Sequence, residues 1–162
     1  MIHTGDTYSK TAKVRMAHPL LVDDVAVDYP DVRFVMCHLG NPWFQDAAEV
    51  LYKNDNVYAD ISGLTLGDFD FEFERYVAVR LKDMITYMGD PGKQLMYGSD
   101  WPLVTMKPYV KLLHELDFDD EPLENISWRT ACGLFKIDPA TLGSRAGAGA
   151  LEDEEDAGEA TA

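Results

Sequence analysis

The stretch "YPDVRFVMCHLG", residues 29–40, decides the architecture. Pro30 and Asp31 end the segment before it. "VRFVMCH", residues 32–38, is then a nearly continuous apolar run with one break at Arg33. A strand with one wet face alternates apolar and polar residues. An uninterrupted run predicts a strand covered on both faces, as in a parallel sheet flanked by helices. The flanks agree. In "HPLLVDDVAVDYP", residues 18–30, Pro19 stands at a helix start and Leu21, Val22, Val25, Ala26 and Tyr29 follow at helical spacing. In "LGNPWFQDAAEVLYKND", residues 39–55, Asn41 suits a cap, Pro42 a first helical position, and Trp43, Ala47, Val50 and Leu51 form one face.

The same unit recurs outward. Residues 1–3 read as the tail of a strand, and "NVYADISG", residues 56–63, as a third strand. A loop with Gly63 and Gly67 leads to a helix over about residues 71–88, whose stripe is Phe73, Val77, Leu81, Met84, Ile85 and Met88. "DPGK" is a turn, "QLMYGSD", residues 94–100, a fourth strand, and helices follow over roughly 108–116 and 122–135. Strand and helix alternate about four times with no shared motif, which predicts an α/β fold with right-handed crossovers. From Ser144 the composition turns to Gly, Ala and acids. The expected division is one domain over residues 1–143 and a disordered acidic tail over 144–162.

Charge excludes one class of partner. The chain of 162 residues carries 29 acids against 14 bases, a formal charge of −15. Residues 151–162 hold six of the acids, which leaves 23 acids and 14 bases in the first 150 residues. Nucleic acid requires a basic surface, so it is not an expected partner. An ordinary acidic protein and one adapted to high salt both remain open. No apolar run of about 18 residues is present, so no membrane partner is expected. The N-terminus does not read as a signal peptide, and Cys37 and Cys132 lack metal-type spacing. A reducing cytoplasm is the expected location.

Each strand ends in something polar: His3, His38, Asp60, and Asp100 just past the fourth. Parallel strands put all their carboxyl ends on one edge, about 4.8 Å apart, where α/β proteins hold their active sites. Two imidazoles and a carboxylate there are lone-pair donors that suit a divalent metal. Such an ion can lower the pKa of bound water to near 7, and Asp100 can accept a proton. In this reading Gly98 lets the backbone leave the strand, Asp100 faces the metal, and Trp101–Pro102 fix the turn and wall the pocket. Asp60 is expected to hydrogen-bond the turn near Ser62 and Gly63. His18 and His114 read as surface residues. Trp43, Phe44, Trp101 and Leu103 can wall a pocket for a planar or aromatic acid, and core packing accounts for Trp43 and Phe44 equally well.

Four segments in series, "IHTG" (2–5), "YPDVRFVMCHLGNPW" (29–43), "NVYADISG" (56–63) and "LMYGSDWP" (95–102), resemble the amidohydrolase-related family. The branch is that of aminocarboxymuconate semialdehyde decarboxylase and related metal-dependent hydrolases, and the resemblance covers about residues 1–138. It implies the C-terminal half of a TIM (β/α)8 barrel: about four parallel strands with covering helices. His3 would end the fifth barrel strand and His38 the sixth, with Asp60 in the seventh and Asp100 after the eighth. It implies His3 and Asp100 as metal ligands and Asp100 as proton shuttle. His38 would orient or polarise water or substrate, or bind a second metal. Zinc is the implied metal, with manganese the alternative.

The family's His-x-His pair is not in this sequence, whose histidines stand at 3, 18, 38 and 114. A complete barrel needs about 250 residues. The chain is therefore expected to be a truncated product, half of a split enzyme with an N-terminal half-barrel partner, or an oligomer, since unpaired strand edges invite association. The expected function is hydrolysis of an amide, ester or lactone by metal-activated water, with His38 stabilising oxyanion charge. The alternatives are non-oxidative decarboxylation of an aromatic or unsaturated acid, and a non-catalytic remnant.

Overall fold

The apolar run around Val35 becomes an inner strand. The protein is seen in a computed structural model that describes residues 1–64, 70–90 and 92–142. Gly67 and the expected tail, residues 144–162, lie outside the described residues. Strands β1 (Ile2–His3), β2 (Phe34–Cys37), β3 (Val57–Asp60) and β4 (Leu95–Met96) form one parallel sheet in the order β1-β2-β3-β4. Between them run α1 (Leu20–Asp28), α2 (Phe44–Lys53) and α3 (Phe71–Met88), and α4 (Lys107–Glu115), α5 (Asp120–Glu124) and α6 (Thr130–Phe135) follow β4. A π turn, Asn125–Arg129, joins the last two. This is the architecture of half a β/α barrel. Among the described residues, no helix is long and apolar enough to cross a membrane.

The register assigns the faces. Ile2 pairs with Met36, Met36 with Ala59, and Ala59 with Leu95. This row faces the helices, and Met36, Ala59 and Leu95 are buried in one core with Val22, Leu51, Val77 and Leu81. That burial supplies the main driving force, at about 25 cal/mol per Å² of apolar surface removed from water. α3 is positioned by its ends. The Asp70 side chain accepts from Phe73 N at 2.8 Å, and Gly89 closes the helix at φ 62°.

The opposite face carries Val35, Cys37, Tyr58, Asp60 and Met96, because side chains alternate along a strand. Val35 is nonetheless only 4% exposed and Met96 3%. Residues of α6 cover this face: Ala131 and Phe135 line a cleft with Cys37 and Met96, and Arg33 donates to the Leu134 carbonyl at 3.4 Å.

Two side-chain amides tie the sheet to its helices. Asn56 Nδ2 lies within 3.2 Å of the Ala26, Tyr29 and Val32 carbonyls, and Gln94 Nε2 within 3.0 Å of those of Leu51, Asn54 and Val57. Asp23 on α1 accepts from Lys53 Nζ at 2.8 Å and from the buried Asn54 at 2.7 Å. These donors, Lys53 first, hold its carboxyl below the ordinary 3.8. Asp23→Ala is expected to cost about 1 kcal/mol, since the pair is partly exposed. A lowered pKa stabilises the fold above the ordinary value, and the contribution is lost as pH falls through the lowered one. Urea unfolding of both proteins should differ at pH 7 and converge as the pH drops below 3.8.

Candidate active site

His3 is the last residue of β1, and it pairs with Cys37, the last of β2. His38 follows at once, so two imidazoles stand at one rim, with ring centroids 5.0 Å apart and planes at 64°. Asp60 ends β3, and Asp100 follows β4 by a short polar loop. His3, His38, Asp60 and Asp100 all line a cleft of about 460 Å³. His3, His38 and Asp100 also line an adjoining opening of about 850 Å³ with Tyr8 and Phe73. The structure thus brings together the three residues singled out in the sequence, from positions 3, 38 and 100.

Both His38 (φ 66°) and Asp100 (φ 68°) have left-handed backbone, as does Leu39 (φ 50°). Few non-glycine residues adopt this region, and those that do cluster where function requires a special geometry. Here the structure corrects the reading of Gly98. Its φ is not positive, and the turn out of the strand is taken by Asp100 itself. Gly98 instead provides space: a Cβ there would lie 3.1 Å from Ser62 Cβ and 3.5 Å from Asp60 Cβ.

Asp60 organises the floor of the site. Its Oδ1 accepts from His38 N at 3.1 Å, from Ser62 N at 3.0 Å, and from the Ser62 hydroxyl. Ser62 Oγ in turn lies 2.9 Å from His38 Nδ1. The Asp60–Ser62 turn is the one expected from sequence, but its reach across to His38 is not. Gly63 completes it. A Cβ at that position would sit 2.3 Å from His38 Nδ1, so only glycine leaves room for the ring.

The donor set fits a divalent cation in kind. Two imidazoles and a carboxylate share one opening, and among the described residues the His38 ring is hydrogen-bonded through Nδ1, by Ser62, and not through Nε2. His3 Nε2 donates to the Asp6 carbonyl at 3.0 Å. Among the described residues, no three His, Cys, Asp or Glu side chains stand close enough together to hold one ion. A full coordination shell therefore needs donors in addition to these.

Cys37 also lines the cleft, but it is not a ready nucleophile or ligand. Burial pushes its thiol up to about 11, and the Asp60 carboxylate adds to the effect. The thiolate is the reactive form, so alkylation at pH 8 should be about a hundredfold slower than for a free thiol and should rise as pH approaches 11. Mass spectrometry of the Cys37 peptide against time and pH checks this.

The remaining sequence candidates divide. Trp101 is 75% exposed and lines the cleft. Trp43 does not line either opening. The His38–Gly40 turn carries the chain away from the rim, and Trp43 packs its ring 4.8 Å from that of His18, beside Gln45, Tyr76 and Arg80. His18 is itself partly buried, 3.6 Å from Asp46. His114 is on an exposed helix face, as expected. Among the contributors missed from sequence are the Ser62 contact to His38 and the Ala131 and Phe135 side chains that wall the cleft from α6. The only signal for Ser62 was its place two residues after a strand-end acid.

Comparison with known proteins agrees with the parallel β/α architecture. A sequence profile described as "Amidohydrolase" matches residues 1–137. No curated protein matches. Among solved structures, an uncharacterized TIM-barrel protein from Bordetella bronchiseptica is similar at 20% identity and a TM-score of 0.64, over 83% of this chain and 44% of that one. An amidohydrolase from Burkholderia multivorans with bound zinc is similar at 19% identity and 0.60, over 74% and 49%. A dihydroxybenzoic acid decarboxylase from a Polaromonas species, with bound manganese and the inhibitor 2-nitroresorcinol, is similar at 16% and 0.50, over 73% and 38%. The chain spans about half or less of the length of each.

Proposed function

The chain belongs to the amidohydrolase family, and from that premise we propose that it carries half of a metal-dependent active site that hydrolyses an amide, ester or lactone. The observation that supports this most directly is the convergence of His3, His38 and Asp100 on one cleft at the carboxyl edge of a parallel sheet. His3 and Asp100 would hold the cation. Zinc is favoured by the Burkholderia relative and manganese by the Polaromonas one. A divalent ion bound there supplies Lewis acidity toward a carbonyl oxygen or water.

The chain's own residues do the rest. Asp100, turned out of β4 by its left-handed backbone, accepts the proton of the attacking water and returns it to the leaving group. His38, held by Asp60 and Ser62, meets the reacting group from the end of β2. Trp101 and Phe135 wall the cleft and limit water around it. The remaining donors to the ion come from a partner surface, either a second copy or a complementary half-barrel. The β1 edge offers a pairing surface for it.

Non-oxidative decarboxylation of an aromatic acid is the second reading. It is supported by the fold shared with the Polaromonas decarboxylase and by the aromatic residues Tyr97 and Trp101 at the cleft. The test is to incubate the purified protein with zinc or manganese and panels of amides, esters, lactones and hydroxybenzoates. Hydrolysis products without carbon dioxide support the first reading, and carbon dioxide release supports the second. Stoichiometric metal binding that survives His3→Ala and Asp100→Ala together would remove these residues as ligands. Absence of both metal uptake and turnover would favour a non-catalytic remnant.

A further inference from the structure

We propose that Ser62 is a positioning residue that fixes His38 as the Nδ1–H tautomer, so that Nε2 enters the cleft as an acceptor. The argument is proton bookkeeping along one chain of contacts. Asp60 Oδ1 already receives two backbone N–H groups, from His38 at 3.1 Å and Ser62 at 3.0 Å, and it also receives the Ser62 hydroxyl. An oxygen so occupied carries no proton to give, so the Ser62 hydrogen is committed to it. Ser62 Oγ then has only lone pairs to present to His38 Nδ1, 2.9 Å away. Two lone pairs do not attract, so Nδ1 must carry the hydrogen and donate it to Ser62. The neutral ring is left with its lone pair on Nε2.

Two features hold this arrangement in place. The chain is short and largely buried, with Asp60 and Ser62 at 5% and 6% exposure, so water does not compete for the Ser62 hydroxyl. Gly63 leaves the ring no side chain to avoid, at a position where a Cβ would strike Nδ1. The tautomer of a ring nitrogen is set by the hydrogen bond its partner nitrogen makes. Water favours the other tautomer, with hydrogen on Nε2, so Ser62 reverses the default.

The consequence deepens the proposed function and rests on it: resting His38 accepts a hydrogen bond or a proton at Nε2. It cannot donate to a developing oxyanion until it has taken a proton. That distinguishes it from the oxyanion-stabilising role expected from the sequence.

The tautomer can be read without metal, substrate or turnover. Long-range proton–nitrogen NMR of the full chain, labelled with ¹⁵N and recorded at mildly alkaline pH where imidazoles are neutral, separates protonated from unprotonated ring nitrogens. His38 is assigned by the signals lost in His38→Gln. Wild type should show Nδ1 protonated and Nε2 bare, Ser62→Ala should move the population to Nε2–H, and Ser62→Thr should restore the wild-type pattern. A wild-type His38 with hydrogen on Nε2 overturns the proposal, even if Ser62→Ala fails to fold. So does a Ser62→Ala spectrum with the pattern unchanged. Failure of the hydrolase reading leaves these spectra unaffected, so the two ideas fall separately.

Discussion

Asp100→Asn is expected to lower turnover by about 10²–10⁴-fold with no loss of folding. The expectation combines two properties of the position. Asp100 is the residue at which the chain leaves β4 in left-handed conformation, φ 68°, and it lines both openings beside His3 and His38. Asn is among the few residues that adopt this conformation as readily as Asp, so the substitution changes the chemistry and spares the backbone. The amide has nearly the shape of the carboxylate but does not take up a proton. The loss corresponds to about 3–5 kcal/mol of barrier. It should fall on kcat, with KM less affected, because the proton transfer develops in the transition state. Asp100→Ala should add a stability loss of about 1–2 kcal/mol for alanine in the left-handed region. Thermal melting of the three proteins, beside their kinetics, separates the two effects. An Asp100→Asn protein with wild-type kcat would take Asp100 out of the proton path.

Much of the scaffold was legible because its signals are local and redundant. The run at residues 32–38 had to be a covered strand, and the stripe from Phe73 to Met88 had to be a helix; both stand within two residues of their expected ends. The gathering of His3, His38 and Asp100 followed from topology alone, since parallel strands share a rim. What failed needed information that no short window contains. α2 begins at Phe44 and not at Pro42, because Asn41 is held in the preceding turn by its bond to the His38 carbonyl at 3.0 Å. The helix expected over residues 122–135 contains the π turn Asn125–Arg129, and within it the Ile126 carbonyl accepts from Tyr97 N at 2.7 Å on the edge of β4. That contact joins residues on different elements, so periodicity could not place it. The same holds for Ser62 and His38, 24 positions apart. The burial of Val35, on the sheet face where α6 residues line the cleft, was not legible either. No short window places a C-terminal helix against a sheet face built from much earlier residues.

Asp60→Ala is expected to destabilise the fold by about 2–4 kcal/mol, more than its size suggests, and this joins the scaffold to the site. The side chain is 5% exposed and accepts three hydrogen bonds on one oxygen. Two of the donors are backbone N–H groups, those of His38 and Ser62. Each buried group left without an acceptor costs about 1–3 kcal/mol, with the two costs not fully additive because the turn can relax. Asp60→Asn keeps an oxygen for these donors and should lose about 1 kcal/mol or less. The His38 N–H is the first backbone donor of a left-handed turn, φ 66° at His38 and φ 50° at Leu39. Asp60 is therefore what stabilises the unusual backbone on which the candidate catalytic imidazole rides. Loss of the acceptor should release the turn, so amide exchange at His38 should accelerate together with the drop in the urea midpoint. A midpoint that shifts by less than about 1 kcal/mol, with His38 exchange unchanged, would mean that the turn is held by other contacts and that Asp60 serves only to fill space beneath the cleft.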